Sequence, residues 1–365
     1  MKSTQSWLDH LNEPVPELPR TDRSQRQFVT HEECEAAFGF TLPQDVRNLL
    51  KQPFTEQRTP QWHLARQEAI TSSDFAAAVG ANPYQTRQTL IKKKVTNTDT
   101  FRGNVATEHG TFYEDCALYE YEKRTGYKVI DLGLMSHHTL FDEMPDEMRM
   151  TNEKKLEWFD KVHADPKYTD YTWLKGSPDG VAVHPETGDA VLLEIKCPYS
   201  STSYRPQRIM CYYYPQVQMM MHLFNLKKCH FVQFVPAQCR LFEQKFDLLE
   251  IEYNAEWFEA AKNEARVTWD IIKRQRSGLF EELARHHFQP SRVIALFPEC
   301  VYTPEKKTYK RSEPTASTEP LFATDAAELI QKPPPEECTD EIELPSQQSF
   351  SNFVDGTFGC VKSNT

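Results

Sequence analysis

Three charged residues within one short stretch have the types and spacing to do chemistry. Asp179 lies in Ser177-Pro178-Asp179-Gly180, and Glu194 and Lys196 flank Ile195, with fourteen residues between Asp179 and Glu194. Side chains alternate faces along a strand, so Glu194 and Lys196 would point one way and Ile195 the other, into a core. The segment 184–189 (HPETGD) is turn-rich, and the runs WLKGSPDGVAV and AVLLEIKCP on either side predict a hairpin that lays Asp179 beside Glu194. Two carboxylates that close repel each other unless a cation stands between them. Oxygen donors with no Cys or His beside them favour Mg²⁺ or Mn²⁺. The lysine could then hold, or help deprotonate, a water attacking a phosphodiester. The spacing alone is not specific, since a solvated hairpin face carrying a salt bridge gives the same string.

The elements that must position these residues read as α, then β, then α. Residues 30–51 look helical with an interruption near Gly39, and 71–80 (TSSDFAAAVG) reads as a short helix with a Ser/Thr cap and Gly80 at its end. Residues 105–125 predict a long helix closed by Gly126, with Ala117, Leu118 and Tyr121 on its apolar side. After the hairpin come a helix over 213–224, the strand HFVQFVP, a strand near 241–250 and a long helix over 254–275. The class is mixed α/β, with a central, partly antiparallel sheet flanked by helices.

Composition divides the 365 residues into three zones. Residues 1–26 hold four basic and four acidic charges and three prolines, and read as a mobile arm. Residues 27–303 are the folded body. From 304 onward six basic residues face eleven acidic ones around Pro333-Pro334-Pro335, too little apolar surface to offset ordering, so residues 304–365 read as a disordered acidic tail. No run of eighteen apolar residues occurs and the first ten residues lack a signal peptide's apolar core, which argues against a membrane-spanning or secreted protein. Nine scattered cysteines without a CxxC argue against a disulfide framework and a ribbon-type zinc site, and suit a reducing compartment. The net charge of −11 argues against indiscriminate coating of nucleic acid, though a local basic groove remains compatible with it.

Taken together, these stretches resemble a known family. Ser177-Pro178-Asp179-Gly180 with Glu194-Ile195-Lys196-Cys197-Pro198 resembles the core of the YqaJ-like, lambda-type exonucleases, which belong to the PD-(D/E)xK nuclease superfamily of phages and large DNA viruses. Three further stretches are similar in the same order: Gln61-Trp62-His63 with Arg66 and Ile70-Thr71-Ser72-Ser73, Gly110 to Glu114 running on to Tyr121 and Gly126, and Tyr214-Pro215-Gln216-Val217-Gln218 with Met221. The resemblance spans roughly 60–250 and implies a restriction-endonuclease-like core. It also implies a metal-dependent DNA exonuclease, 5′→3′ on duplex ends, in viral recombination, repair or replication. An endonuclease of the same superfamily and a catalytically silent DNA-binding protein are the alternatives.

By resemblance, Asp179, Glu194 and the main-chain carbonyl of Ile195 would ligate Mg²⁺ or Mn²⁺, as two ions, with Glu114 adding a carboxylate. Lys196 would be the catalytic lysine and Gln216 a polar contact to the metal site or its water. Gln216 and Gln218 lie two apart on a helix and cannot share a face, so only one should reach the site. Arg66 and Ser73 would engage the 5′-phosphate, and the start of a helix at 71–73 would favour an anion there. An arginine usual in the family after the lysine motif is absent, with Arg205 or Arg208 as substitutes. The resemblance also implies DNA ends as substrate, a homo-oligomer, a strand-annealing protein as partner and no membrane, in the nucleus or cytoplasm of a host cell.

Other residues carry plainer readings. Cys229, His230 and Cys239 read as buried residues rather than a metal site, and His137-His138 as a surface pair. Lys92 to Lys94 and Lys227-Lys228 read as a solvated face or as phosphate-tracking charge, and Lys306 to Arg311 as a nuclear import signal. The acidic stretch 141–160 reads as an insertion away from any DNA groove.

Overall fold

Val191, Leu192, Leu193 and Ile195 make one strand apolar on both faces, and such a strand needs a layer on each side. The structure supplies both. It is a computed structural model that describes residues 17–97, 104–138, 143–168, 172–199, 203–237, 244–278 and 291–304. The helices are α1 (His31–Phe38), α2 (Gln44–Leu50), α3 (Pro60–Gln67), α4 (Ser72–Ala78), α5 (Arg87–Thr96), α6 (Val105–Thr125), α7 (Asn152–Ala164), α8 (Tyr214–Phe224) and α9 (Ala255–Arg276). The strands are β1 (Ile70–Thr71), β2 (Lys128–Ile130), β3 (Leu174–Lys175), β4 (Gly180–Val183), β5 (Ala190–Lys196), β6 (Ile209–Met210), β7 (Lys228–Val235), β8 (Lys245–Glu252) and β9 (Val301–Tyr302).

The central sheet has the order β2-β4-β5-β7-β8. Only β5 and β7 run parallel, with Glu194 opposite Phe231, and α8 makes the crossover between them. The other neighbours are antiparallel, and Gly180 pairs with Leu193 in the hairpin. The fold is therefore mixed α/β with a central mixed sheet, the class that the sequence predicts.

One layer is α8 with α4 and α9 behind it. Val217, Met219, Met220, Met221, Leu223 and Phe224 are all buried, as a helix between a sheet and other helices requires. The other layer is α6, whose Cys116, Ala117, Leu118 and Tyr121 join Val191, Leu193 and Ile195 in a second cluster. Helix α6 starts where the Asn104 side chain accepts from the Thr107 N–H at 3.0 Å and ends at Gly126, left-handed at φ 79°. Gly180 is tightly placed: a Cβ there would stand 2.3 Å from Val129 Cγ1 on β2.

The structure departs from the sequence reading in four places. Residues 17–26, expected within a mobile arm, lie against α6: the Thr21 N–H donates to the Asp115 carbonyl at 3.2 Å, and a 3₁₀ turn at Arg23–Arg26 is capped by Asp22. The cause is charge, because this segment brings arginines to a carboxylate-rich surface. Second, the first hairpin strand is shorter than expected. Leu174–Lys175 pairs with Ile70–Thr71 instead, and Pro178, which has no N–H to donate, separates it from β4. Third, His137 and His138 are half-buried, with His137 edge-on to His222 at 4.8 Å. Fourth, the 141–160 stretch holds most of α7, where the buried Lys155 ammonium donates to the Leu50 carbonyl at 2.8 Å. Cys239, Lys306 to Arg311 and all of the expected tail beyond Pro304 lie outside the described residues. No helix among the described residues is long and apolar enough to cross a membrane.

Candidate active site

Glu194 and Lys196 leave β5 on the same side, as the two-residue period of a strand requires, and they form an ion pair through Glu194 Oε1. The same oxygen accepts from Gln216 Nε2 at 2.6 Å, from the first turn of α8. Gln218 points elsewhere: its Nε2 donates to the Glu252 carbonyl and its Oε1 accepts from the Asn254 N–H, both at 2.8 Å. Pro215 does not prevent this reach, because it stands in the first helical turn where no intrahelical N–H is needed. Ile195 is buried beneath α6, and its N–H donates to Asp179 Oδ2 at 2.6 Å. That bond ties the residue before β4 to the end of β5.

Glu114 arrives from the middle of α6, and it shares a cleft of about 790 Å³ with Asp179 and Lys196. Burial, then the Asp179 charge, pushes the Glu114 carboxyl up to about 7 despite Arg23 and Lys196. Burial and Asp179 likewise push Glu194 up to about 8. Burial works against the Lys196 ammonium, but Glu194 and Asp179 outweigh it and hold its pKa above the ordinary lysine value. Its Nζ stands 5.1 Å from the centre of the Tyr213 ring.

These groups fit a hard divalent cation. Glu194 is 1 % exposed and its second oxygen, Oε2, is buried without any hydrogen-bond partner. An ionised carboxylate oxygen in that position is costly unless a cation faces it. The donor set is all oxygen. Among the described residues no three acidic, His or Cys side chains are drawn into a ready-made metal cage. Two of the carboxylates instead meet cations of the chain, Glu194 meeting Lys196 and Glu114 meeting Arg23.

Arg23 has no counterpart in the sequence reading. Its Nη2 lies 2.9 Å from Glu114 Oε1 and donates to the Asp179 carbonyl at 2.9 Å, while its Nε is 3.4 Å from Asp115 Oδ1. No periodicity marks a residue in a 3₁₀ turn. The one available signal is the surplus of carboxylates at Glu114, Asp115, Asp131 and Asp179, which calls for a cation without saying from where.

Arg66 and Ser73 meet each other: Arg66 Nη2 donates to Ser73 Oγ at 2.8 Å, and the guanidinium lies over the Trp62 ring at 4.3 Å. Neither residue lines the cleft of Glu114, Asp179 and Lys196. The helix start beside them is not open to an anion as expected, because Asp74 already occupies it, accepting from the Thr71 hydroxyl and pairing with Lys94 at 2.8 Å. Arg205 and Arg208, the expected substitutes for the absent arginine, turn toward the C-terminal segment. Arg205 lies over the Tyr302 ring and Arg208 donates to the Glu299 carbonyl. Cys229 is buried and His230 Nδ1 is hydrogen-bonded to the Tyr121 hydroxyl at 2.7 Å, as packing residues are.

Comparison with known proteins finds similarity over the segment that holds this cluster. Residues 61–226 match the model of the YqaJ-like viral recombinase domain. Uncharacterized protein R354 of Acanthamoeba polyphaga mimivirus is 24% identical over 194 residues, covering 50% of this chain and 30% of that protein, so the chain spans about a third of that relative. Among solved structures, the alkaline exonuclease LHK-Exo from Laribacter hongkongensis is similar at 21% identity and a TM-score of 0.43, over 62% of this chain and 99% of that one. A phage-related exonuclease from Haemophilus somnus 129PT is similar at 12% identity and a TM-score of 0.41, over 58% and 96%. Glu114, Asp179, Glu194, Lys196 and Gln216 all fall within 61–226, the segment that matches the YqaJ-like viral recombinase domain.

Proposed function

We propose that this chain is a divalent-metal-dependent DNA exonuclease that degrades duplex ends from the 5′ side. The observation that carries the reading is the buried, unpartnered Glu194 Oε2, on the strand that presents Lys196 and opposite Asp179. Asp179, Glu194, Glu114 and the Ile195 carbonyl would hold Mg²⁺ or Mn²⁺. Such an ion, when bound, supplies charge against the developing phosphorane and makes the attacking water more acidic.

The chain's own residues do the rest. Lys196 presents an ammonium that stays protonated in this carboxylate-rich cleft, so it can orient the water and offset negative charge growing on the phosphate oxygens. Gln216 fixes the rotamer of Glu194, and the Ile195 N–H fixes Asp179. Water oxygen bonds to phosphorus, one P–O ester bond breaks, and the leaving oxygen takes up a proton. Arg66 and Ser73 supply a guanidinium and a hydroxyl suited to a terminal 5′-phosphate, which supports the 5′ polarity.

The test is digestion of linear duplex DNA and covalently closed circles in Mg²⁺. Loss of the linear DNA alone, abolished in Lys196→Ala, is expected. Nicking of the circles would favour an endonuclease, and equal loss of DNA with wild type and Lys196→Ala would reject the assignment.

A further inference from the structure

Four residues other than glycine have a positive φ among the described residues: Arg58, Asn97, Gln207 and Asn225. Three are explained locally. Asn97 and Asn225 end helices α5 and α8, a usual place for asparagine. Gln207 is anchored by its main-chain N–H and its side-chain amide to the Asp247 carboxylate, both at 2.8 Å. Arg58, at φ 68°, has no such return.

Its conformation is imposed from both sides. Thr55 bridges to Leu134, Gln57 Nε2 reaches the Pro178 carbonyl at 3.5 Å, and Thr59 caps α3 by accepting from the Trp62 N–H at 3.2 Å. A strained residue held in this way points to a use for its side chain. The Arg58 guanidinium is exposed and meets Thr111 Oγ1 at 3.5 Å. It lines a cavity of about 840 Å³ together with Arg20 and Arg23. Those two arginines are committed to Asp115 and Glu114, whereas Arg58 has no ion pair with the described residues. Thr107, Thr111 and Glu114 line both this cavity and the cleft of the metal cluster, so Arg58 stands at its rim.

We propose that Arg58 grips a backbone phosphate of the DNA strand being cut, next to the phosphate at the carboxylate cluster. The planar fork of arginine matches phosphate oxygens. Arg58 lies outside the segment that matches the family model. The inference rests on the nuclease reading.

The test uses the full chain and a 5′-phosphorylated duplex in Ca²⁺, with DNA integrity checked afterwards, and follows affinity by fluorescence anisotropy across a salt series. Arg58→Gln should bind about ten-fold more weakly, with a salt slope smaller by about one. Arg58→Lys should keep the slope while losing part of the affinity. Arg58→Gly should show the same loss as Arg58→Gln yet melt higher than wild type, because glycine adopts positive φ without strain. Wild-type affinity and slope in Arg58→Gln and Arg58→Gly would overturn the inference and leave the nuclease reading standing, and so would an Arg58→Gly protein that melts no higher. Failure of the wild type to bind the duplex at all would overturn both.

Discussion

One nitrogen of Arg23, Nη2, joins Glu114 to Asp179: it lies 2.9 Å from the Glu114 carboxylate and 2.9 Å from the Asp179 main-chain oxygen. A turn before the first helix thus clamps the middle of α6 to the start of β4. Both side chains of the ion pair are 19% exposed, so the pair is screened only in part.

Removing the guanidinium leaves Glu114 facing Asp179 without its nearest counter-charge. Arg23→Gln should lower stability by about 1–3 kcal/mol, below the cost of breaking a fully buried pair because some solvent reaches this one. Arg23→Lys should recover part of the loss, since an ammonium can serve Glu114 or the Asp179 carbonyl but lacks the fork to serve both well. Urea unfolding of the three proteins measures this, and equal midpoints would show that the clamp is inert.

The carboxylate cluster should also make stability depend on pH. Glu194 and Glu114 are raised to about 8 and about 7 by burial and Asp179, above the usual carboxylate range. A carboxyl with a raised folded pKa holds its proton in the fold where the unfolded chain has lost it. Its contribution is fully present below about pH 4.5, the ordinary value for glutamate, and is lost as pH rises toward 8, at about 1.4 kcal/mol per group and pH unit. Metal-free protein should therefore melt lower at pH 8 than at pH 6, and Glu194→Gln should flatten the slope. Mg²⁺ should raise the melting temperature more at pH 8, where the carboxylates are ionised, than at pH 6. A larger Mg²⁺ effect at pH 6 would contradict this account of the cluster.

Behind Arg66 and Ser73, Asp74 and Lys94 form an ion pair of 2.8 Å with side chains 6% and 3% exposed. Burial alone would raise the Asp74 carboxyl, but Lys94 and the Thr71 hydroxyl outweigh it and hold it down to about 2. Lys94 also donates to the Arg66 carbonyl at 2.6 Å, so the pair anchors the end of α3. Lys94→Met strands a buried carboxylate and should cost about 3–5 kcal/mol. The double variant Asp74→Asn, Lys94→Met should be less damaged than Lys94→Met alone, because no charge is left buried. Denaturant midpoints of both variants decide it, and a double variant worse than Lys94→Met would remove the buried charge as the cause.

How much of this was legible depended on whether a residue sits on a periodic element. Glu194 and Lys196 share a side because strands alternate, and Gln216 excludes Gln218 because helix positions two apart diverge. The central sheet and α6, α8 and α9 follow from apolar periodicity and from caps such as Gly126. Arg23 and Arg58 could not be found that way. They reach the site from a 3₁₀ turn and a loop, through contacts set by tertiary charge balance and by backbone anchors distant in sequence. Lys94 misled for a related reason: in a run of three lysines nothing in the string says which one faces the buried Asp74. The short β3 was hidden by a strand-like apolar run that Pro178 interrupts.

The polarity of digestion is the sharpest test of the site. Arg66 is held by the Trp62 ring and Ser73, so its guanidinium is preoriented beside an exposed hydroxyl. A terminal phosphate offers that pair a charge that a 5′-hydroxyl lacks, and a charge-assisted hydrogen bond is worth roughly 1.5–3 kcal/mol. With a factor of ten for about each 1.4 kcal/mol, 5′-phosphorylated ends should be digested about ten- to a hundred-fold faster than 5′-hydroxyl ends. Arg66→Ala should erase most of that preference, yet Mg²⁺ should bind as in wild type, because Arg66 lines no part of the cleft that holds the carboxylates. Lys196→Ala should give the reverse pattern, stopping hydrolysis of both ends while the duplex still binds. End-labelled duplexes resolved by product length measure all of this. A wild type that prefers 3′ ends, or that ignores the 5′ group, would dismiss Arg66 and Ser73 as the phosphate clamp while leaving the proposed metal-holding role of the carboxylates untouched.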